Sequence, residues 1–422
     1  MFQKVYFPKE NYTSGIRHCL YQQLRRESHA ANANFDFDKI LSFKIPKESN
    51  NFHVHAVWLR HHCQCQKCYN HRTHQRVHIP SHLSQISSVK KFTVKNKQCL
   101  IDWNDDHTSV FNIDWLRANA PKSLAGLSAS TLPILEENQG FHQQLSYNYK
   151  KCFESVGSIL NDPLEIAIHF DEFMKVGNDG VTHLLSNVLR YGYGIVNQCP
   201  PDFETTKKVI LKVSHPQNTI YGDFSEWTSN LAHADTAYTS DVVHMHTDTS
   251  YFTEPIGLQI FHCLQHNGSG GLNSLVDGFQ IAKQIARENQ ESYELLSTLR
   301  IPSQYVDDGK HHFHSNDVTF AHDSSSNQIQ KIRYNPHDVA VLKDLPFEHV
   351  EKFYKSLVNL SDLLESAPQT IKLSPGLVLF LDNWRVLHGR TAYTGFRHLC
   401  GAYISRSDWL SRTRVLGLLN DF

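Results

Sequence analysis

The residues best suited to chemistry lie in Asp241-Val242-Val243-His244-Met245-His246-Thr247-Asp248-Thr249-Ser250-Tyr251. Side chains alternate along a strand, so this spacing puts His244, His246 and Asp248 on one face. An imidazole and a carboxylate two residues apart, joined by a second imidazole from a distant strand, make a three-cornered site. Such a site holds non-haem Fe(II) and leaves three positions open. The distant partner expected here is His388, in Phe380-Leu381-Asp382-Asn383-Trp384-Arg385-Val386-Leu387-His388-Gly389-Arg390. His-x-Asp is weak evidence by itself, because the chain has 28 His and offers a rival in His233-Ala234-Asp235. Most such histidines are solvated or hydrogen-bonded surface residues.

A second constellation is Cys63-Gln64-Cys65-Gln66-Lys67-Cys68. In a non-secreted chain with an odd number of cysteines, nine, the cluster suggests a metal and not a disulfide framework. Three thiolates need a fourth N or S donor to close a tetrahedron, and His61, His62, His71, His74 and His107 all qualify. Spacing does not choose among them. The competing reading, reduced surface thiols, leaves three neighbouring cysteines open to oxidation.

At 422 residues the chain exceeds what one core usually supports, and two domains are expected. From Phe43 to about Leu116 the pattern is short and β-like: Phe52, Val54, Ala56 and Trp58 alternate, as do Phe92/Val94 and Cys99/Ile101/Trp103. The stretch from about Ala118 to Asn161 is irregular, so the boundary is placed at 120, giving a cysteine-bearing, metal-binding domain (1–120) and a second domain (121–422). A helix follows, with Asp179 as a cap and Val181, Leu184, Leu185, Val188 and Leu189 as its apolar stripe. It ends at Gly192 and Gly194 and leads into a strand at Ile195-Val196. Strands are expected over Pro255–Leu264 and Leu377–Leu381, and helices over Phe279–Arg287 and Val350–Leu364. There is no repeat and no glycine-rich phosphate loop. Mainly β structure with flanking helices fits a double-sheet jelly roll better than a parallel sheet.

Lys+Arg 41 against Asp+Glu 42 gives a net charge of -1, with no basic stripe for nucleic acid and no field toward an anionic membrane. No apolar run reaches the roughly 18 to 20 residues needed to cross a bilayer, and the N-terminus lacks a secretory signal. The first thirty residues carry only a mild basic bias. A cytoplasmic protein is expected, with the mitochondrial matrix as the alternative.

Several stretches together resemble the γ-butyrobetaine and trimethyllysine dioxygenase family, nearer to its trimethyllysine members. They are Trp58-Leu59-Arg60 with the cysteine run, Asp235-Thr236-Ala237-Tyr238-Thr239, His246 to Phe252, Gly270-Gly271 through Val276-Asp277-Gly278-Phe279, Asp382 to Arg390, and Arg397 to Tyr403. The resemblance implies a double-stranded β-helix enzyme using Fe(II), 2-oxoglutarate, O2 and L-ascorbate, preceded by a small domain with structural zinc. It selects His246, Asp248 and His388 as the catalytic iron ligands, and His107 as the fourth zinc ligand beside Cys63, Cys65 and Cys68. Arg397 matches the position that binds the far carboxylate of 2-oxoglutarate, a task for a fixed bidentate cation. Tyr221, Tyr238 and Tyr403 match an aromatic cage for a trimethylammonium, which cannot donate a hydrogen bond and is drawn to ring faces. Where the family commonly has a cage Trp this chain has Ser225, with Trp227 two residues on.

Asp235 suits the α-ammonium of trimethyllysine, and Asn335 matches a polar pocket position. The implied reaction is hydroxylation of N6,N6,N6-trimethyllysine at C3, the first step of carnitine biosynthesis, with succinate and CO2 released. The family's dimers suggest a homodimer. The alternatives are γ-butyrobetaine hydroxylation and, from another class, a zinc-dependent binding protein with an inactive jelly roll.

Overall fold

The structure is a computed structural model that describes residues 39–45, 50–83, 88–122, 160, 162–228, 240–366 and 368–419. Two sheets face each other as a jelly roll. The larger has six strands in the order Ser225–Trp227, Arg397–Ile404, Leu258–His266, Val378–Asp382, Tyr193–Asn197 and Ala167–His169. The smaller runs Val243–His246, Val386–Arg390, Asn273–Asp277 and Gln369–Ile371. Pairing is antiparallel throughout except that Ala167–His169 lies parallel to Tyr193–Asn197. Val378–Asp382 and Val386–Arg390 are buried along their whole length, as expected of strands flanked on both sides and covered on both faces.

Asp179–Tyr191 forms the expected helix, burying Val181, Leu184, Leu185 and Val188 against the larger sheet. It stops at Gly192, whose φ of +82° suits only a residue without Cβ. Asp179 is not the cap. Asn178 holds that position without a side-chain bond, and Asp179 instead puts a negative charge in the first turn, where the helix dipole favours it. The helices Gly278–Glu288, Gln290–Thr298 and Val350–Ser366 cover the smaller sheet.

The N-terminal part holds the hairpin Ile40–Lys44/Asn51–His55 and the meander Val89–Lys95, Gln98–Trp103 and Thr108–Asn112. The alternation at Phe52 and Val54 does not continue through Ala56 and Trp58. The strand ends at His55 and Ala56–His61 is a helix buried on every side. Complete burial erases the polar face from which the helical period is read. One hydrophobic cluster runs from Trp58, Leu59 and Trp103 into Phe353, Tyr354 and Leu357 of the Val350–Ser366 helix. Trp58 Nε1 donates to the Leu342 carbonyl at 3.0 Å across that seam.

Candidate active site and metal centres

The Val243–His246 and Val386–Arg390 strands pair so that His246 lies directly across from His388. Their ring centroids are 4.4 Å apart. Asp248 Oδ1 is 3.3 Å from His246 Nε2, and Asp248 Oδ2 is 3.9 Å from His388 Nε2. One ligand atom from each residue falls within 4.8 Å of the others, spacing that one ion can bridge. His246 Nδ1 is 2.8 Å from the His244 carbonyl, which can only accept, so Nδ1 carries the proton and Nε2 keeps its lone pair for a metal. Burial holds His388 neutral, pushed down to about 3, with the neighbouring His246 adding to the effect. Burial alone would raise Asp248, but its contacts with the His246 and His388 imidazoles and the Tyr403 hydroxyl hold its carboxyl below the usual range.

Asp248 lies beyond the strand, in a turn fixed by Asn383. That amide accepts from Asp248 N at 2.8 Å and donates to the carbonyls of Asp248 and Ile256 at 3.1 and 3.2 Å. His244 does not share the His246 cavity. A one-residue bulge between Val243 and His246 breaks the alternation. His244 Nδ1 sits 3.6 Å from Glu365 Oε1, with its ring beside His82 and His337. His233, Asp235 and Tyr238 lie outside the described residues.

The cavity beside the triad is lined by Tyr221, Tyr403, Tyr251, Trp227, Phe261 and Arg397, among others. Arg397 is buried; Nη2 donates to Asn273 Oδ1 at 2.8 Å, while Nε has no partner. Burial, with Arg390 nearby, lowers Arg397 to about 10, which still leaves it charged at neutral pH. No carboxylate of the described residues pairs with Arg397, and a buried guanidinium in that condition fits an incoming anion.

Tyr221 and Tyr403 meet edge to face at 6.1 Å. Tyr251 completes the group, its hydroxyl 2.9 Å from that of Tyr221. Ser225 turns its hydroxyl onto the Tyr221 carbonyl, and Trp227 stands in the cavity wall against Phe261. Asn335 also lines the cavity; its Nδ2 donates to Asp338 Oδ2 at 2.7 Å.

Sequence reasoning assigned no role to Tyr251, Asn273 or Gln259. Gln259 is 1 % exposed, faces the cavity across from Tyr403, and neither atom of its amide has a partner. A Gln between Leu258 and Ile260 at the start of a core strand is the sequence signal that could have found it.

In the second cluster, His107 Nε2 lies 3.3, 3.7 and 3.7 Å from the sulfurs of Cys63, Cys65 and Cys68. All four donor atoms fall within 4.8 Å of one another. The rival histidines are engaged elsewhere: His61 with the Tyr354 hydroxyl, His62 with the Trp58 carbonyl and Leu342 N, His71 with the Gln64 carbonyl and His74 with Asp308. Cys63 is pushed down to about 4, chiefly by its hydrogen bond with Cys68. Arg60 Nη1 donates to Cys68 Sγ at 3.0 Å. Three sulfurs and one imidazole, largely shielded, match a closed structural zinc site.

The family model described as "Taurine catabolism dioxygenase TauD, TfdA family" matches residues 160–403, and "Gamma-butyrobetaine hydroxylase-like, N-terminal" matches residues 41–117. The mitochondrial trimethyllysine dioxygenase of Mus musculus is 36% identical over 368 residues, covering 86% of this chain and 82% of the relative. That of Homo sapiens is 35% identical over 368 residues, with the same coverage of 86% and 82%. The γ-butyrobetaine dioxygenase of Pongo abelii is 27% identical over 378 residues, 86% of this chain and 90% of the relative.

Proposed function

The chain belongs to the trimethyllysine dioxygenase family, within the TauD, TfdA dioxygenases, and from that membership we propose that it hydroxylates N6,N6,N6-trimethyllysine at C3. The reaction opens carnitine biosynthesis. One oxygen atom of O2 enters the substrate as hydroxyl and the other enters succinate, with CO2 released. Iron with 2-oxoglutarate supplies, when bound, the oxidising power to open an unactivated C–H bond.

His246, Asp248 and His388 would hold the iron. Arg397, through its unpaired Nε, and its neighbour Asn273 would receive the far carboxylate of 2-oxoglutarate. Tyr221, Tyr251 and Tyr403 would turn ring faces to the trimethylammonium, each contact giving about 0.5 to 2 kcal/mol. Tyr238 and Asp235 join the substrate site by resemblance. The Cys63, Cys65, Cys68 and His107 set holds structural zinc, and the division at residue 120 into a zinc-bearing part and an oxygenase part belongs to the same proposal. The mammalian relatives are named mitochondrial, which favours the matrix over the cytosol for this chain.

The observation that carries this reading is the convergence of His246, Asp248 and His388 beside a buried Arg397, paired with no carboxylate among the described residues, and a tyrosine cluster. Mass spectrometry of trimethyllysine incubated with the protein, Fe(II) and 2-oxoglutarate tests it. Trimethyllysine gains one oxygen atom, and His388→Ala abolishes that gain. Succinate release with γ-butyrobetaine but not with trimethyllysine would move the assignment to the butyrobetaine branch.

A further inference from the structure

One wall of the cavity is built by the antiparallel neighbours Leu258–His266 and Arg397–Ile404 of the larger sheet. Arg397, Leu399 and Tyr403 from one strand, with Phe261 and Gln259 from the other, all line the cavity. Gly401, directly across from Phe261, adds no side chain, so Leu399 and Phe261 floor the strip that runs from Arg397 to Tyr403. Two contacts fix where Gln259 stands relative to the triad. Phe261, on the same strand and the same face, meets the His388 ring edge to face at 5.5 Å. Tyr403, paired with Gln259 across the ladder, donates from its hydroxyl to Asp248 Oδ2 at 3.4 Å. Gln259 is thus flanked by two side chains that each touch a triad residue, at the opposite end of the strip from Arg397.

The amide of Gln259 is set apart from its neighbours in the cavity by its unused donors. Gln75 Nε2 and Asn335 Nδ2 are both directed at Asp338, at 2.9 and 2.7 Å. Both amide atoms of Gln259 are buried without a partner. The backbone cannot turn the residue away, because Gln259 is paired on one side with Leu381 and on the other with Tyr403, and a strand's alternation then holds the side chain to the cavity face. An unpaired buried amide is destabilising, and the arrangement is explained when a ligand supplies the missing acceptor. A neutral donor suits this place, since a Lys or Arg beside a bound divalent cation would meet like charge in a poorly screened cavity.

The geometry points to Gln259 as the hydrogen-bond donor to the carboxylate at the keto-acid end of 2-oxoglutarate, the end opposite the carboxylate assigned to Arg397. The inference rests on the Fe(II) and 2-oxoglutarate dioxygenase reading and gives it a second fixed point. A dicarboxylate held at one end by Arg397 and Asn273, and lying along Leu399 and Phe261, brings its other carboxylate toward Tyr403, where Gln259 has N–H groups to offer. A carboxylate has more lone pairs than one bond to a metal occupies, so it can take a hydrogen bond from the protein as well. Anchors at both ends, each on a strand, set the direction of the molecule before the reaction begins.

The test is equilibrium binding, by calorimetry without oxygen, to the full chain loaded with Fe(II). Gln259→Leu weakens 2-oxoglutarate by about 10- to 100-fold, the range for a hydrogen bond to a charged group, and leaves the Kd of trimethyllysine within about threefold. Gln259→Met, unbranched and close in volume, gives the same result should the branched side chain disturb the strand. 2-Oxopentanoate, which keeps the keto-acid end and lacks the far carboxylate, locates the contact. Gln259→Leu weakens it by the same factor as 2-oxoglutarate, whereas Arg397→Lys weakens 2-oxoglutarate alone. Unchanged affinity for 2-oxoglutarate, a loss that falls on trimethyllysine instead, or a loss that spares 2-oxopentanoate would each overturn the inference. A wild type that binds no 2-oxoglutarate would instead overturn the dioxygenase reading on which it rests.

Discussion

At the scale of single residues, the cavity keeps polar groups in conditions that cost stability, and those groups identify the ligand. Gln259 is buried with its whole amide unpaired, a loss of about 1–3 kcal/mol that an apolar residue would avoid. Gln259→Leu is therefore expected to raise the thermal midpoint of the substrate-free protein while lowering kcat/KM; a variant with less stability and unchanged turnover would show that the amide has no ligand. Arg397 makes the complementary case. Lysine keeps the charge but not the fork, so Arg397→Lys should raise KM for 2-oxoglutarate by about 10- to 100-fold, with a much smaller effect on KM for trimethyllysine. Steady-state titration of each substrate separately checks that asymmetry.

At the scale of elements, Arg385 joins three pieces beneath the site. Its Nη2 lies 2.7 Å from Asp277 Oδ2, and it also donates to the Leu189 and Arg190 carbonyls at the end of the Asp179–Tyr191 helix. Asp277 in turn caps Gly278–Glu288 by accepting from Phe279 N at 3.0 Å. Asn serves as well as Asp in a cap, so Asp277→Asn isolates the ion pair. Leaving Arg385 buried and unpaired should cost about 3–5 kcal/mol in denaturant unfolding, against about 1 kcal/mol if only the cap mattered.

Both residues stand in motifs visible in the sequence, yet their pairing joins strands with many residues between them and carries no local signature. The helices at 179, 278 and 350 were legible because each has one dry face. The Ala56–His61 helix was not, because it has none. His246 could be told from His244 by resemblance but not by alternation, which a single bulged residue defeats. The choice of His107 over four nearer histidines likewise came from resemblance, because spacing does not show the meander that brings it back to the cysteines.

At the scale of the whole molecule, the apolar cluster linking Trp58 to Phe353 predicts that the two parts of the chain melt together. Chelating the zinc proposed for the thiolate site should then lower the midpoint of the jelly roll as well; separate transitions by calorimetry would contradict this. Acid should also act globally. His262 is fully buried, its Nδ1 2.7 Å from Thr206 Oγ1, and burial pushes it down to about 4. His322 is lowered to about 4 by the same cause. Above pH of about 6.5 neither the folded nor the unfolded chain protonates these rings, and they contribute no pH dependence.

Between about 6.5 and 4 the unfolded chain binds protons that the folded chain refuses, so stability falls as pH falls. Below about 4 both states are protonated and the loss is complete, about 3 kcal/mol for His262 at most. Urea unfolding at a series of pH values measures the slope. His262→Asn keeps a partner for Thr206 but cannot titrate, so its slope in that window should be shallower by up to about 1.4 kcal/mol per pH unit. An unchanged slope would mean that His262 is reached by solvent before the fold opens.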